Sequence, residues 1–211
     1  MNIGRLITFE GGEGAGKSTQ ARLLADALEP HTGEVVRTRE PGGTHSAEAV
    51  RRLLVEGDTG RWQPVTEVLL HYAARSEHVH DLIRPALSRG AWIVCDRFAD
   101  STLAYQGYGL GVDHQLIAEI DRLVLQGLCP DLTFVLDLPA ELGLARATRR
   151  AGGEERYESM PLGLHQRLRN GFLEIAAAHP DRCVVIDATA DPESVHREIW
   201  DATAKRFGLP V

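Results

Sequence analysis

Gly11-Gly12-Glu13-Gly14-Ala15-Gly16-Lys17-Ser18 fits the pattern G-x-x-x-x-G-K-[ST] and lies just after the apolar run Leu6-Ile7-Thr8-Phe9. A strand that leads into such a stretch and a helix that leaves it make a phosphate-binding loop. The glycines let successive backbone N–H groups turn inward, and the helix that follows adds the positive end of its dipole. Lys17 is placed to reach the β- and γ-phosphates of a nucleotide, and the Ser18 hydroxyl to meet Mg²⁺. The chain is therefore expected to bind ATP or a related triphosphate through Gly11, Gly12, Glu13, Gly14, Ala15, Gly16, Lys17, Ser18 and Thr19. The loop fixes the ligand class and leaves the reaction open.

Outward from the loop, five short apolar runs alternate with longer helical patterns: Leu6 to Phe9, Val35 to Thr38, Trp92 to Cys95, Leu132 to Leu138 and Val184 to Ile186. That alternation predicts an α/β fold with a parallel sheet. Trp92-Ile93-Val94-Cys95 and Phe134-Val135-Leu136 are almost wholly apolar, as strands covered on both faces must be, and belong in the sheet centre. Asp113 and Asp191 are candidate helix caps, and Pro85 is expected to end or kink the helical stretch Pro64 to Leu87 near Arg84.

The 211 residues, 43 % of them hydrophobic, suit one compact domain over 1–211, since no Pro/Gly/Ser-rich linker divides them. No apolar run approaches a membrane span and the N-terminus lacks a signal-peptide pattern, so a cytoplasmic protein is expected. The three cysteines, Cys95, Cys129 and Cys183, are too widely spaced for a zinc site and read as reduced. A formal charge of −7 argues against broad nucleic-acid binding. An anionic small molecule needs only local positive charge, and Arg146, Arg149 and Arg150 at helical spacing, followed by Arg156, supply a cluster of it.

In an open parallel sheet, ligands bind beyond the carboxyl ends of the strands. Arg39-Glu40-Pro41-Gly42-Gly43 follows the second predicted strand and Asp96-Arg97 the third, so both converge on the edge that carries the phosphate loop. Asp96 is placed as a carboxylate for Mg²⁺ beside Ser18, and Arg97 as a bidentate clamp on a second phosphate.

These segments resemble those of the bacterial thymidylate kinases, in the same order and over nearly the whole chain. The resemblance rests on Phe9 to Ser18, Thr38-Arg39-Glu40-Pro41-Gly42-Gly43-Thr44, Tyr72-Ala73-Ala74-Arg75 and Asp96 to Gly107. It implies a three-layer P-loop NTPase fold with a five-stranded parallel sheet flanked by helices, and a mobile lid near 146–160. It implies transfer of the γ-phosphate of ATP to dTMP, with Mg²⁺ as cofactor, and a homodimer formed by the helices around Val65 to Leu82 and Leu116 to Leu125.

Carried over to this sequence, the resemblance sets Arg75 against a thymine carbonyl, Thr102 and Gln106 near the polar edge of the base, and Arg51 beside it. Arg39 and Arg97 hold the dTMP phosphate, and Glu13 and Tyr105 lie near the deoxyribose. His71 stands where the family commonly stacks a phenylalanine on thymine; a ring that gains charge near pH 6.5 is expected to weaken dTMP binding in acid. Because Gly14 occupies the loop position where some members carry an arginine, Arg156 with Arg149 is expected to contact the ATP phosphates, and Arg146 to lie nearer adenine. The acceptor is already an anion, so positioning and charge neutralisation by Lys17, Arg97, Arg149 and Arg156 are expected to suffice without a strong general base. Two rivals remain at this point. One is a kinase of another nucleoside monophosphate or of a deoxynucleoside; the other is a nucleotide-dependent switch, which the lack of an N-K-x-D motif disfavours.

Overall fold

The computed structural model describes residues 4–58, 60–149 and 155–210. Five parallel strands form one sheet in the order β2-β3-β1-β4-β5: β1 (Arg5–Glu10), β2 (Val35–Arg39), β3 (Trp92–Asp96), β4 (Leu132–Asp137) and β5 (Cys183–Asp187). Each predicted run is a strand, and the two most apolar ones, β3 and β4, flank the central β1. Leu138, expected at the end of the fourth run, falls just beyond β4.

The first helix, α1 (Lys17–Thr32), packs Leu24 and Leu28 against the sheet beside Ile199 of α10 (Pro192–Phe207), around the stacked Phe9 and Phe134. The opposite face is covered by α3 (Pro64–His78), α4 (Arg84–Ser88), α6 (His114–Leu125) and α9 (Leu162–Ala178), through Val79, Ile83 and Leu125 near β3 and Leu168 and Phe172 near β4. Burying helix stripes on both faces explains why β3 and β4 are apolar over most of their length, while the buried hydroxyls of Thr8 in β1 and Thr133 in β4 satisfy each other at 2.8 Å.

Pro85 acts earlier than its own position. The helix widens to i→i+5 bonding over Val79–Ile83 before α4 begins at Arg84, since a proline removes one backbone donor and its ring crowds the carbonyl four residues back. Asp113 caps α6 by accepting from Gln115 N, and Asp191 caps α10 by accepting from Glu193 N and Ser194 N. Cys95 and Cys183 are buried, Cys129 is exposed, and all three are free thiols. Among the described residues no helix is long and apolar enough to cross a membrane.

Candidate active site

At the carboxyl end of β1 the chain enters the phosphate loop, and Gly16, with φ of 91°, turns it into α1. No side chain caps that helix, so its first N–H groups are left for an anion. The Lys17 ammonium donates to the carbonyls of Gly11 at 3.1 Å and Gly12 at 2.7 Å. Burial and the nearby Arg97 push its pKa down to about 8. Gly14 cannot carry a side chain here: its φ is 67° and a Cβ would overlap the carbonyl oxygen of Gly143, in α7 (Ala140–Thr148). The arginine absent from the loop is thus excluded by packing as well as by sequence.

Beyond β3, Ser18 Oγ donates to Asp96 Oδ2. These two hard oxygens are the donor set that suits a magnesium ion shared with phosphates and water. No cluster of three His, Cys, Asp or Glu side chains able to hold a metal by themselves occurs among the described residues. Both residues line an open groove of about 880 Å³, mouth included, with Arg37 and Arg39 on its other side.

Arg97 follows at a left-handed φ of 69°, a conformation that costs a non-glycine residue roughly 1–2 kcal/mol. The turn sends its side chain back to the loop, where Nη1 meets Gly11 O at 3.1 Å and Ser101 Oγ at 3.2 Å, and Nη2 meets Glu13 Oε1 at 2.9 Å and the Tyr105 hydroxyl at 3.0 Å. Tyr105 in turn donates to Glu13 Oε1 at 2.5 Å. Burial alone would raise the Glu13 pKa, but the Arg97 and Lys17 charges hold it down at about 2.

Next to this knot a narrow cleft encloses about 380 Å³, mouth included, between Pro41, His71, Arg75, Phe98, Gln106 and Tyr157. Arg75 is 2 % exposed and is fixed on three sides: Nε to Glu40 Oε2 at 2.7 Å, and Nη2 to Phe98 O and Thr102 Oγ1 at 3.0 Å each. Its Nη1 is buried with no partner, as is Oε1 of Gln106. The residues that carry this unpartnered donor and this unpartnered acceptor line the same cleft, where a ligand with a mixed polar edge gains most.

The structure thus gathers Glu13, His71, Arg75, Arg97, Tyr105 and Gln106 around one cleft, with Thr102 just behind Arg75. It separates three others from it. Arg39 is exposed, pairs with Glu48 at 3.1 Å, and faces the groove shared by Ser18 and Asp96. Arg51 donates to the carbonyl of Pro41 and meets the cleft wall from outside. Arg156, expected against ATP phosphates, is 3 % exposed in α8 (Glu155–Glu158), where its guanidinium pairs with Glu67 and reaches Leu54 O at 2.6 Å. A guanidinium without water needs a counter-ion, and the buried Glu67 supplies it. Arg149 is exposed just past the end of α7, while Arg146 binds Ala188 O at 2.9 Å and Thr189 O at 3.4 Å beyond β5. Arg150, Gly152 and Gly153 lie outside the described residues.

The surroundings of His71 run against the acid-weakened binding expected of it. Burial, then the charges of Arg75, Arg97, Arg156 and Arg51, push the imidazole pKa down to about 3, so the ring stays neutral well below pH 5.5. Sequence reasoning also missed three buried acids. Glu40 grips both Arg75 and His78, the latter at Nδ1 and 2.9 Å, and their charges and hydrogen bonds hold its carboxyl below the usual range against the effect of burial. Glu10 accepts from Phe98 N at 2.8 Å and shares a 2.5 Å hydrogen bond with Ser101, thereby fixing the turn that carries Arg97. Glu67 is the third. The one available signal was an acid inside an otherwise apolar run, which in isolation reads as a solvated position.

A phosphate-binding loop, the Ser18–Asp96 oxygen pair and a second cleft lined by Arg75 and Arg97 thus lie together at the carboxyl edge of the sheet. The thymidylate kinase family model matches residues 9–199. The chain is 57 % identical to the thymidylate kinase of Caulobacter vibrioides over 99 % of its length and the whole of that protein. It is 49 % identical to that of a Bradyrhizobium species over 99 % of this chain and 93 % of the other. The crystal structure of thymidylate kinase from Ehrlichia chaffeensis superimposes with a TM-score of 0.79 at 36 % identity, covering 95 % of this chain and 99 % of that one. By its loop, its second cleft and these full-length likenesses, the chain belongs to the thymidylate kinase family.

Proposed function

We infer that this chain transfers the γ-phosphate of ATP to dTMP, yielding ADP and dTDP. The observation that carries the inference is the pairing of the free Arg75 Nη1 donor with the free Gln106 Oε1 acceptor in one cleft. Thymine presents a carbonyl acceptor beside an N–H donor on one edge and satisfies both; cytosine, with the two reversed, leaves both unsatisfied. Thr102 steadies Arg75, and His71 offers a neutral ring for stacking. Tyr105, locked onto Glu13 and Arg97, narrows the sugar site against a 2′-hydroxyl.

Arg97 holds the acceptor phosphate between the cleft and the loop, and Arg39 approaches from the groove side. The loop amides and Lys17 take the ATP phosphates, Thr19 follows in the first turn of α1, and Arg146 borders the adenine side. With Arg156 occupied by Glu67, Arg149 is the lid arginine for the donor phosphates. Ser18 and Asp96 would hold a Mg²⁺ brought by the nucleotide, and that ion would supply charge neutralisation. The protein's own part is to align a dTMP phosphate oxygen with the γ-phosphorus, so that the new P–O bond forms as the bond to ADP breaks. No proton needs removal, because the attacking oxygen is already anionic.

The enzyme works in the cytoplasm as a homodimer, with the exposed Val65 and Leu69 of α3 and Leu123 of the adjoining α6 in the contact. The test is ADP release from ATP with MgCl2 and, in parallel, dTMP, dUMP, dCMP, dGMP, AMP or thymidine, with EDTA as control. Preference for dTMP, abolished by EDTA, is expected; preference for another acceptor would overturn the roles of Arg75 and Gln106.

A further inference from the structure

Glu67 is 2 % exposed on α3, and groups from two distant parts of the chain converge on its carboxylate. Oε2 accepts from Gln106 Nε2 at 3.1 Å and from the Tyr157 hydroxyl at 3.5 Å, while Oε1 pairs with Nη2 of Arg156. Gln106 belongs to the base cleft. Arg156 and Tyr157 belong to the segment between α7 and α9, the arm that the sequence marks as a lid.

An amide side chain is ambiguous by itself, since a half-turn exchanges its donor for its acceptor. Glu67 Oε2 accepts from Nε2 at 3.1 Å, so Gln106 turns its NH2 toward Glu67. That leaves its oxygen as the unpartnered atom. With the amide reversed, the site would present a donor to the ring nitrogen, which suits cytosine. The choice of base thus depends on an acid that lines neither substrate. The other oxygen of the same carboxylate seats the lid segment, and Tyr157 places its ring edge-on against Tyr105, with centroids 5.4 Å apart.

We propose that Glu67 is a positioning residue that fixes the Gln106 amide for a pyrimidine N–H and, through Arg156, anchors the segment that carries Arg156 and Tyr157 beside the base cleft. The proposal rests on the dTMP reading above and adds to it the residue that sets base choice and ties it to that segment.

Three proteins decide it: wild type, Glu67→Gln and Arg156→Met, each assayed for kcat and KM with dTMP, dCMP and ATP. In Glu67→Gln the amide is released, so the ratio of kcat/KM for dTMP over dCMP is expected to fall at least about tenfold. In Arg156→Met kcat is expected to fall and KM for ATP to rise. A merely structural role would depress dTMP and dCMP turnover alike and leave the ratio unmoved in Glu67→Gln, which would overturn the proposal. If Glu67→Gln does not fold, the Glu67→Met/Arg156→Met double variant removes both buried charges together and carries the same ratio readout. An active wild type with an unchanged ratio in the variants sinks this proposal alone; a wild type inactive on dTMP sinks the functional reading and this proposal with it.

Discussion

The Arg97 guanidinium stands 2.9 Å from Glu13 Oε1, and the Tyr105 hydroxyl reaches the same oxygen at 2.5 Å. One carboxylate of the phosphate loop therefore orients both Arg97, the proposed clamp on the acceptor phosphate, and Tyr105, the proposed shaper of the sugar site. Arg97→Lys should keep the charge and lose the fork that spans Gly11, Ser101, Glu13 and Tyr105. Losing a charge-assisted hydrogen bond worth about 1.5–3 kcal/mol corresponds to roughly a 10- to 150-fold fall in kcat/KM for dTMP. Steady-state kinetics check it, and a variant within twofold of wild type would remove Arg97 from the clamp.

The dTMP affinity should be the same function of pH in wild type and His71→Phe between pH 5.5 and 8, because the native imidazole is neutral throughout with its pKa near 3. Stability should differ in a defined direction. The folded pKa lies below the ordinary value of 6.5, so the native state binds fewer protons between the two, and His71 contributes stability that is present above pH 6.5 and lost as pH falls toward 3. Melting curves from pH 7.5 to 4 should therefore show wild type losing more than His71→Phe in acid.

Glu10 has the opposite sign. Burial, then the charge of Asp100, pushes its pKa up to about 8 from 4.5. The native state holds a proton that the unfolded chain has released, so its contribution is fully present below pH 4.5 and is lost as pH rises to about 8. Glu10→Gln keeps the shape and removes the titration. Relative to wild type it should gain stability as pH rises from 5 to 8; a flat difference in melting temperature across that interval would mean that Glu10 ionises normally.

Leu24 is fully buried where α1 meets the sheet, and its truncation leaves a cavity beneath the helix that begins at Lys17. Leu24→Ala should cost about 2–5 kcal/mol, read as a lower urea midpoint at unchanged slope. A loss below 0.5 kcal/mol would place Leu24 outside the core.

The elements whose signals are local could be read from the chain. The phosphate loop carries its own geometry in its glycines, the apolar runs announce covered strands, and Asp113 and Asp191 mark helix starts within three residues of what they cap. Residue types in motifs also pointed to Arg75, Arg97, Tyr105 and Gln106, all of which border one cleft. What the sequence did not carry was environment: the desolvation of His71 and the four guanidiniums around it, and the pairing of Arg156 with Glu67, 89 residues away.

By itself, then, the sequence determined the nucleotide loop, the parallel α/β architecture and the residue types of the site, since each depends on spacing within a few residues. The tertiary structure alone decided which of those residues face one another, which atom of Gln106 is left for a ligand, and which groups are held by Glu10, Glu40 and Glu67. Those outcomes depend on burial and on pairings between distant segments. They are set when the sheet brings the strand ends together, and no local pattern encodes them.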